Sequence, residues 1–587
     1  MIYFFQKKFT LLISFSFITA FLFAQYPASK WFQIGAGASE NVTNSMTFDK
    51  NSEYLYNGGS FQGTMNFYGD SSVTITSSHS FDGYVSKYDT LGNIQNVIQY
   101  AGSDNQDILD VGVDDDNNLF VAGYFEDLVD FDPGNGNFQM LATDYKNAFV
   151  SKLNEDGDFI WAKQFECDSF SYVNSIAADD LGNLYVSGVF LGTADFDPGI
   201  GVESLTSSEE GLGGDLFVLK LDAQGEFLWV NRYEGFDFSY VDIDIAVDSH
   251  NELVVTGGFV DSVDFNAGPG VYPFIAGNYG PDIFVLKLKI NGDFRWAKQI
   301  GGFYMDMTTS IAIDIYDNIY LTGSFQGTCD FDPSDGVVNL VAQSNFEQDA
   351  FVCKLIWNGD LAWAKQIKGF GVQEGAVVTV DDSLNVYSTG FFMTSADFNP
   401  HPTVGWGIGS NGFDDVYVQK LDINGDFRWA RGIGGTFSDR STGLVVDDRH
   451  NVYVSGNFST TCYLDLDDDI QLGTSLGYRD VFIHQWAQLD TIPAVPEEPV
   501  DTLFLEELDW KLSIYPNPVY DDLNIQFDQE MLQVSMNVYN QLGQVITRKI
   551  FNDIKEIRTA IEGAPGVYIV ELIAENRLSK RLKVVKL

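Results

Sequence analysis

Positive charge is scarce in this chain: 33 Lys and Arg stand against 83 Asp and Glu, a formal charge of −50 over 587 residues. A surface that acidic repels phosphate backbones and anionic headgroups, so nucleic-acid binding is excluded as a role. Cysteine is scarce too. Cys167, Cys329, Cys353 and Cys462 are the whole complement, too few for a disulfide framework to hold a chain of this length. Cys329 and Cys462 fall at one position of two different repeat units, so they are expected as small buried hydrophobes rather than a pair. The five histidines form no spaced metal or nucleophile constellation, and His250 and His450 are read as replacing the glycine of a tight turn. There is no Gly-x-Ser-x-Gly elbow, Walker loop, zinc helix or haem-attachment pair. Long apolar runs are missing as well. The run at 9–23 is about 15 residues, short of the roughly 20 that span a bilayer as a helix.

What is present begins with an export signal. Lys7 and Lys8 precede that apolar run, and Ala24 stands before Gln25, the layout of a secretory signal peptide over 1–24 cleaved after Ala24. No cysteine follows the run, so no lipoprotein anchor is expected. A composition of 45% hydrophobic and 15% aromatic residues with 56 glycines provides for packed cores of strands and turns and almost no helix.

One pattern recurs from Trp31 to about Asp490. A tight turn followed by tryptophan appears as Gly157 and Trp161, Gly225 and Trp229, Gly292 and Trp296, Gly359 and Trp363, and Gly425 and Trp429, spaced by about 66 to 68 residues. That period is too long for a strand-helix solenoid unit and suits a four-stranded sheet. Alternation and turn chemistry divide each unit into strands a to d, with tight turns from a to b and from c to d and a longer loop from b to c. The Gly-x-Phe of strand b recurs seven times, from Gly59/Phe61 to Gly456/Phe458, and strand c recurs with Lys87, Lys152, Lys220, Lys287, Lys354, Lys420 and finally Gln485. The first strand d, at Trp31, precedes any other strand, whereas the last strand c has no strand d after it. The two ends complete one another, which leaves no open edge. The expected fold is all-β: a seven-bladed β-propeller over 25–490 whose N-terminal strand closes the ring.

The runs Asp-Ile-Phe-Val-Leu-Lys-Leu, Asn-Gly-Asp-Phe, Ile-Ala-Ile-Asp and Asn-Ile-Tyr-Leu-Thr-Gly resemble the bacterial seven-bladed propeller repeats often called SBBP. The resemblance covers about 460 residues. It implies an exported propeller and carries over no catalytic residue.

Two features of the ring invite a chemical reading. Asp130 and Asp132, Asp195 and Asp197, and Asp330 and Asp332 form an Asp-Phe-Asp motif after strand b, with Asp264/Asn266 and Asp397/Asn399 as weaker copies. Alternate carboxylates on one side of an extended chain suit calcium, a hard cation with oxygen ligands. The preferred alternative has the first aspartate cap a turn and the phenylalanine pack between blades, because the full calcium-loop spacing is missing. The repeated tryptophans are expected to pack between blades, which leaves the off-pattern Trp357 and Trp406 as the ligand-platform candidates.

Residues 491–510 read as a proline-rich acidic linker. Residues 511–587 differ in kind, with about 10 basic and 9 acidic side chains, and their alternating apolar positions predict a small β-sandwich. The motif Tyr515, Pro516, Asn517, Pro518, then Gly543, then Gly566 and Tyr568, and a basic final strand with Lys586 closely resemble the type A C-terminal sorting domain of the type IX secretion system of Bacteroidota. The resemblance implies that this tail engages the type IX secretion machinery, and that the product is secreted or attached to the outer cell surface, with no transmembrane span in the mature chain.

The leading expectation is therefore a non-enzymatic binding or adhesion module for a glycan or another surface protein. An extracellular polysaccharide hydrolase or lyase would place carboxylates from two blades at the channel mouth, where the repeat is broken at 211–214 and 401–412. A third reading makes the ring a calcium-stabilised structural surface protein; no other cofactor is implied.

Overall fold

A computed structural model describes residues 27–68, 73–143, 145–208, 214–234, 236, 242–277, 279–464, 470–487, 512–515, 522–539, 545–560, 566–574 and 579–586. The expected signal peptide and linker lie outside these residues. Every element among them is a β-strand. In blade 3 the antiparallel order is Phe170–Ala178, Leu184–Leu191, Asp215–Leu221 and Phe227–Tyr233, strands a to d. The same meander occurs seven times. Strand a is Asn41–Phe48, Gln106–Val113, Phe170–Ala178, Asp244–Val247, Asp306–Ile313, Gln373–Val380 and Arg440–Val446 in blades 1 to 7. Each strand a packs on the next, and blade 7 meets blade 1, so the strands a form the inner wall of a closed ring. In blade 7 the fourth strand is Ala28–Gly37, paired antiparallel with Asp480–Ala487 through Phe32 and His484 and through Ile34 and Phe482. The seam is closed as strand counting anticipates.

Strands b and c are buried on both faces, so they read as unbroken apolar runs rather than alternating ones; all seven residues of Asn147–Leu153 and of Asp215–Leu221 are buried. Each strand-d tryptophan ties its blade to the next. Trp229 Nε1 donates to Ile290 O at 3.1 Å and Trp363 Nε1 to Ile423 O at 3.0 Å, both in the following c-to-d turn. The glycine of that turn has positive φ, 84° at Gly292, and a Cβ there would meet the Trp229 ring at 2.8 Å. The Gly-x-x-x-Trp signature is thus two halves of successive inter-blade contacts.

Strand a ends in an aspartate in every blade, from Asp49 to Asp447. In blade 3 Asp179 Oδ1 accepts the amides of Leu181 and Asn183 at 3.1 and 2.9 Å, closing the a-to-b turn. The strand-c lysine reaches the other oxygen, as in Lys152–Asp114 at 2.7 Å and Lys220–Asp179 at 3.0 Å. In blade 7 Gln485 donates instead to Tyr453 Oη, which donates to Asp447. One expectation needs correction here. His450 does take the left-handed position of this turn, with φ 60°, but in blade 4 that position is Asn251, φ 59°, and not His250. His250 stands one place earlier, where no positive φ is required.

The b-to-c connection is a hairpin in its own right. Thr328–Asp330 pairs with Asn339–Val341 and also with Gly301 and Gly302 of the preceding blade. All four cysteines are buried and free.

The tail's described strands, Leu512–Tyr515, Asp522–Tyr539, Val545–Ala560, Gly566–Ala574 and Ser579–Lys586, form an antiparallel β-fold around Ile525, Val534, Met536, Val570 and Leu572. Residues 523–527 and 535–539, read as separate strands, belong to one element. No glycine or proline lies between them, so the chain keeps its extended form, with register breaks between Gln526 and Met531 and between Val538 and Tyr539.

Candidate functional site at the channel mouth and loop face

Because strands a and c begin, and strands b and d end, at the same end of the ring, the d-to-a and b-to-c loops share one face. At that face the head of strand a, or in blade 4 the second residue before it, supplies a ring of side chains around the channel: Asp107, Tyr172, Asp242, Met307, Glu374 and Arg440 in blades 2 to 7. Burial raises the Asp107 carboxyl to about 6. Burial first, then the charge of Asp242, raises Glu374 to about 7 against the pull of Arg440. Two cations accompany them: the Lys146 Nζ lies 4.2 Å over the Tyr124 ring, and the Arg440 guanidinium 4.0 Å over Phe391.

One layer deeper, past a bulge in most strands a, lie Ser45, Asp110, Ser175, Asp244 and Ser310. Ser45 Oγ donates to Asp110 at 2.6 Å, and the Ile176 amide donates to its other oxygen at 2.8 Å. Ser175 Oγ and the Ile311 amide do the same to Asp244, each at 2.8 Å. Each aspartate thereby joins three blades. Burial raises Asp110 to about 7 and pushes Asp244 upward. Below this girdle the channel opens into a cavity of ≈ 360 Å³ lined by Val111, Val113, Ile176, Ala178 and Val445.

Around the mouth the loops expose aromatic rings. Tyr145, Tyr279, Phe346 and Tyr478 stand two or three residues before strand c, Phe413 lies within the long strand Gly407–Leu421 two residues before Asp415, and Phe303, Phe370 and Phe437 stand three residues before strand a; all eight are exposed, Phe346 by 88% and Tyr478 by 85%. Tyr279 and Phe303 face each other across the junction of blades 4 and 5 with centroids 5.1 Å apart, and Phe413 and Phe437 across that of blades 6 and 7 at 6.4 Å. Buried aromatics are explained by packing; these are not.

The ligand candidates read from the sequence lie elsewhere. Trp357 is 50% exposed, in a c-to-d turn on the opposite face. Trp406 lies against Phe427, ring centroids 5.7 Å apart and planes tilted by 35°, and packs against the core of its own blade. The two are not brought together. In the Asp-Phe-Asp motif, Asp130 Oδ1 accepts the amides of Asp132 and Phe138 at 3.1 and 2.9 Å, and Asp132 Oδ1 accepts that of Gly134 at 2.8 Å. Asp195 and Asp197, and Asp330 and Asp332, make the same bonds. Phe131, Phe196 and Phe331 between them are buried among the blade's own phenylalanines. This is turn-capping geometry. Among the described residues, groups of three ligand atoms within 4.8 Å occur instead at a-to-b turns, as Asp248, His250 and Asp317 and as Asp381, Asp382 and His450. Asp248 there is already paired with Lys287 at 2.6 Å, and Asp381 accepts from Asn385 and Tyr387.

In the tail, Tyr515 ends the first described strand, Gly566 and Tyr568 begin the fourth, and Lys586 closes the last. Pro516, Asn517, Pro518 and Gly543 lie outside the described residues. Among those described, no helix is long and apolar enough to cross a membrane.

Residues 513–586 match the family described as the secretion system C-terminal sorting domain. An uncharacterised WD repeat-containing protein of Acanthamoeba polyphaga mimivirus is 22% identical over 452 residues, 66% of this chain, and the match spans 32% of that relative. Among solved structures, the Neurospora crassa Pan2 WD40 domain matches with TM-score 0.37 and 8% identity, covering 77% of this chain and 90% of that one. The Myceliophteria thermophila Cps50 (Swd1) β-propeller domain matches with TM-score 0.25 and 8% identity, covering 61% and 95%. The strand pairing defines the ring independently of these likenesses. The chain is a β-propeller protein that carries a type IX secretion sorting domain, by which it is secreted or attached to the outer cell surface.

Proposed function

We propose that this exported propeller is a non-enzymatic binding module whose loop face holds a glycan. The observation that carries the reading is the set of exposed aromatic rings around an acid-lined mouth. Open ring faces stack on sugars, and carboxylates accept hydrogen bonds from hydroxyls. Loops carried on a rigid scaffold are the usual place for recognition. The sign of the charge narrows the class. With −50 overall and three acids at the mouth, sulfated and uronate polymers are repelled, whereas neutral or amine-bearing ones are not. The test is retention of the whole chain on immobilised neutral, amine-bearing and uronate polysaccharides. Retention on the first two and not the third is expected; no retention on any would replace the glycan with a protein partner.

One observation favours a second reading, a hydrolase or lyase. Glu374 holds a proton near neutral pH beside Asp242, as a general acid must. Turnover of a retained polymer that disappears in Glu374→Gln while retention persists would establish it.

A further inference from the structure

The residue at the head of each strand a faces the residue at the head of strand c in the preceding blade. Backbone bonds mark the equivalence: the amide of Asn41 donates to Arg479 O, Ser171 to Lys146 O, Asp306 to Pro281 O and Asp439 to Asp414 O, at 3.1, 3.0, 2.8 and 2.7 Å. Where blade 7 meets blade 1 the side chains are Asn41 and Asp480, and Asn41 Nδ2 donates to Asp480 Oδ1 at 2.7 Å. Gln106 and Gln373 put uncharged amides at the same place opposite Asp82 and Asp349, and Ser171 stands opposite Asn147. Among the described junctions, only two oppose acid to acid: Asp306 with Asp282, and Asp439 with Asp415.

All four of these carboxyls are buried, but they are not equally supplied with donors. Asp282 accepts the Gly277 amide at 3.2 Å and Gln299 Nε2 at 2.6 Å. Asp415 accepts the amides of Gly435 and Asn411 at 3.2 and 2.6 Å. Neither oxygen of Asp306 receives a hydrogen bond from an N–H or O–H donor, and of Asp439 only one oxygen does, from the Ser459 amide at 3.0 Å. Among the described residues no cation offsets them. Asp306 is faced by Asp282 from strand c, by the Cys329 thiol from the hairpin and by the amides of Gly302 and Gln326. Asp439 is faced by Asp415 and Asp414, by the Cys462 thiol and by the Gly435 amide. Arg440, the adjacent cation, is committed to Asp414 by two bonds at 2.9 and 2.7 Å.

Two carboxylates that face each other across one dry junction, the charge of one raising the other, do not both ionise readily. We propose that Asp306 and Asp439 are carboxylic acids in the folded protein and share their protons with Asp282 and Asp415, taking the part that the amide of Asn41 plays toward Asp480, so that two junctions of the ring are held by protons and loosen as pH rises. Burial, then the neighbouring aspartate, raises each acid to about 8, in keeping with this geometry. The aromatic pairs Tyr279/Phe303 and Phe413/Phe437 sit two or three residues from these same acids, so the proton-held junctions lie under the exposed rings. The proposal stands whether or not those rings hold a glycan.

Raised acids bind a proton in the folded state that the unfolded chain has lost above about pH 4, so stability falls as pH rises from there and levels off above about 8. The test is urea unfolding of the whole chain between pH 6 and 8, for the natural sequence, Asp306→Asn, Asp439→Asn and the double variant. Each substitution supplies a permanent donor of the same shape. The unfolding constant of the natural chain should rise by about an extra tenfold per pH unit for each of the two acids, and each variant should remove one such increment. Infrared spectra at pH 6 should lose carboxylic-acid carbonyl intensity in each variant, a readout that altered packing alone would not give. Identical pH slopes in all four chains, or recovery of the natural chain at pH 9 by millimolar calcium, would overturn the proposal. Should the double variant fail to fold, each single variant tests its own junction.

Discussion

Lys220 Nζ lies 3.0 Å from Asp179 Oδ2, and both side chains are almost wholly buried. The lysine comes from strand c and the aspartate caps the a-to-b turn, so a single ion pair fastens the outer half of blade 3 to its inner turn. The lysine also donates to Tyr185 Oη at 2.6 Å.

Removing one partner of a buried pair leaves an uncompensated charge, a loss of about 3–5 kcal/mol. Lys220→Ala should therefore destabilise by that order in urea unfolding. Lys50→Ala should cost about 1 kcal/mol or less, because its pair with Asp115 is half exposed. Equal effects would contradict the assignment of a structural role to the buried lysines.

Gly292→Ala should cost about 1–3 kcal/mol, since the turn needs positive φ and a Cβ would press on Trp229. Gly407→Ala is the control: nothing lies within 4 Å of a Cβ there, and thermal melting should change by less than the equivalent of about 0.5 kcal/mol.

Chelator should leave the melting temperature of the whole chain unchanged, because the first carboxylate of each Asp-Phe-Asp motif is occupied in capping its hairpin. Asp130→Ala should cost about 1–3 kcal/mol, as two amides lose their acceptor. Asp132→Asn should be nearly neutral, since Asn266 already makes the equivalent bond to Gly268 at 3.0 Å. A drop in melting temperature on chelation would favour the calcium reading instead.

Glu374→Gln should flatten the dependence of stability on pH. The folded carboxyl is raised to about 7, so the natural chain loses stability from about pH 4.5 up to about 7, by up to ~1.4 kcal/mol per pH unit. Unfolding midpoints measured at pH 5 and 7 should lie closer together in the variant than in the natural chain.

The ring was legible because the residues that build it repeat: the strand-b Gly-x-Phe occurs in all seven blades, the strand-c lysine in six and the Gly-x-x-x-Trp contact in five, and the stray strand at Trp31 announced the seam. The loop face was not, because its aromatics shift between two and three residues before each strand and alternate between Tyr and Phe, so no fixed period reveals them. Asp107 and Asp242 were hidden by a difference in spacing: Leu109 separates Ile108 from Asp110, whereas Ile243 leads directly to Asp244. Trp357 and Trp406 drew attention by departing from the repeat. Departure alone does not distinguish an exposed turn from a packed hairpin.

The most direct test of the central claim compares three chains on the polysaccharides that retain the natural one: Tyr279→Ala with Phe303→Ala, Phe413→Ala with Phe437→Ala, and Trp357→Ala. The account predicts that each double variant weakens retention at least tenfold while Trp357→Ala binds as the natural chain does. Unchanged retention in both double variants, or loss only in Trp357→Ala, would contradict it.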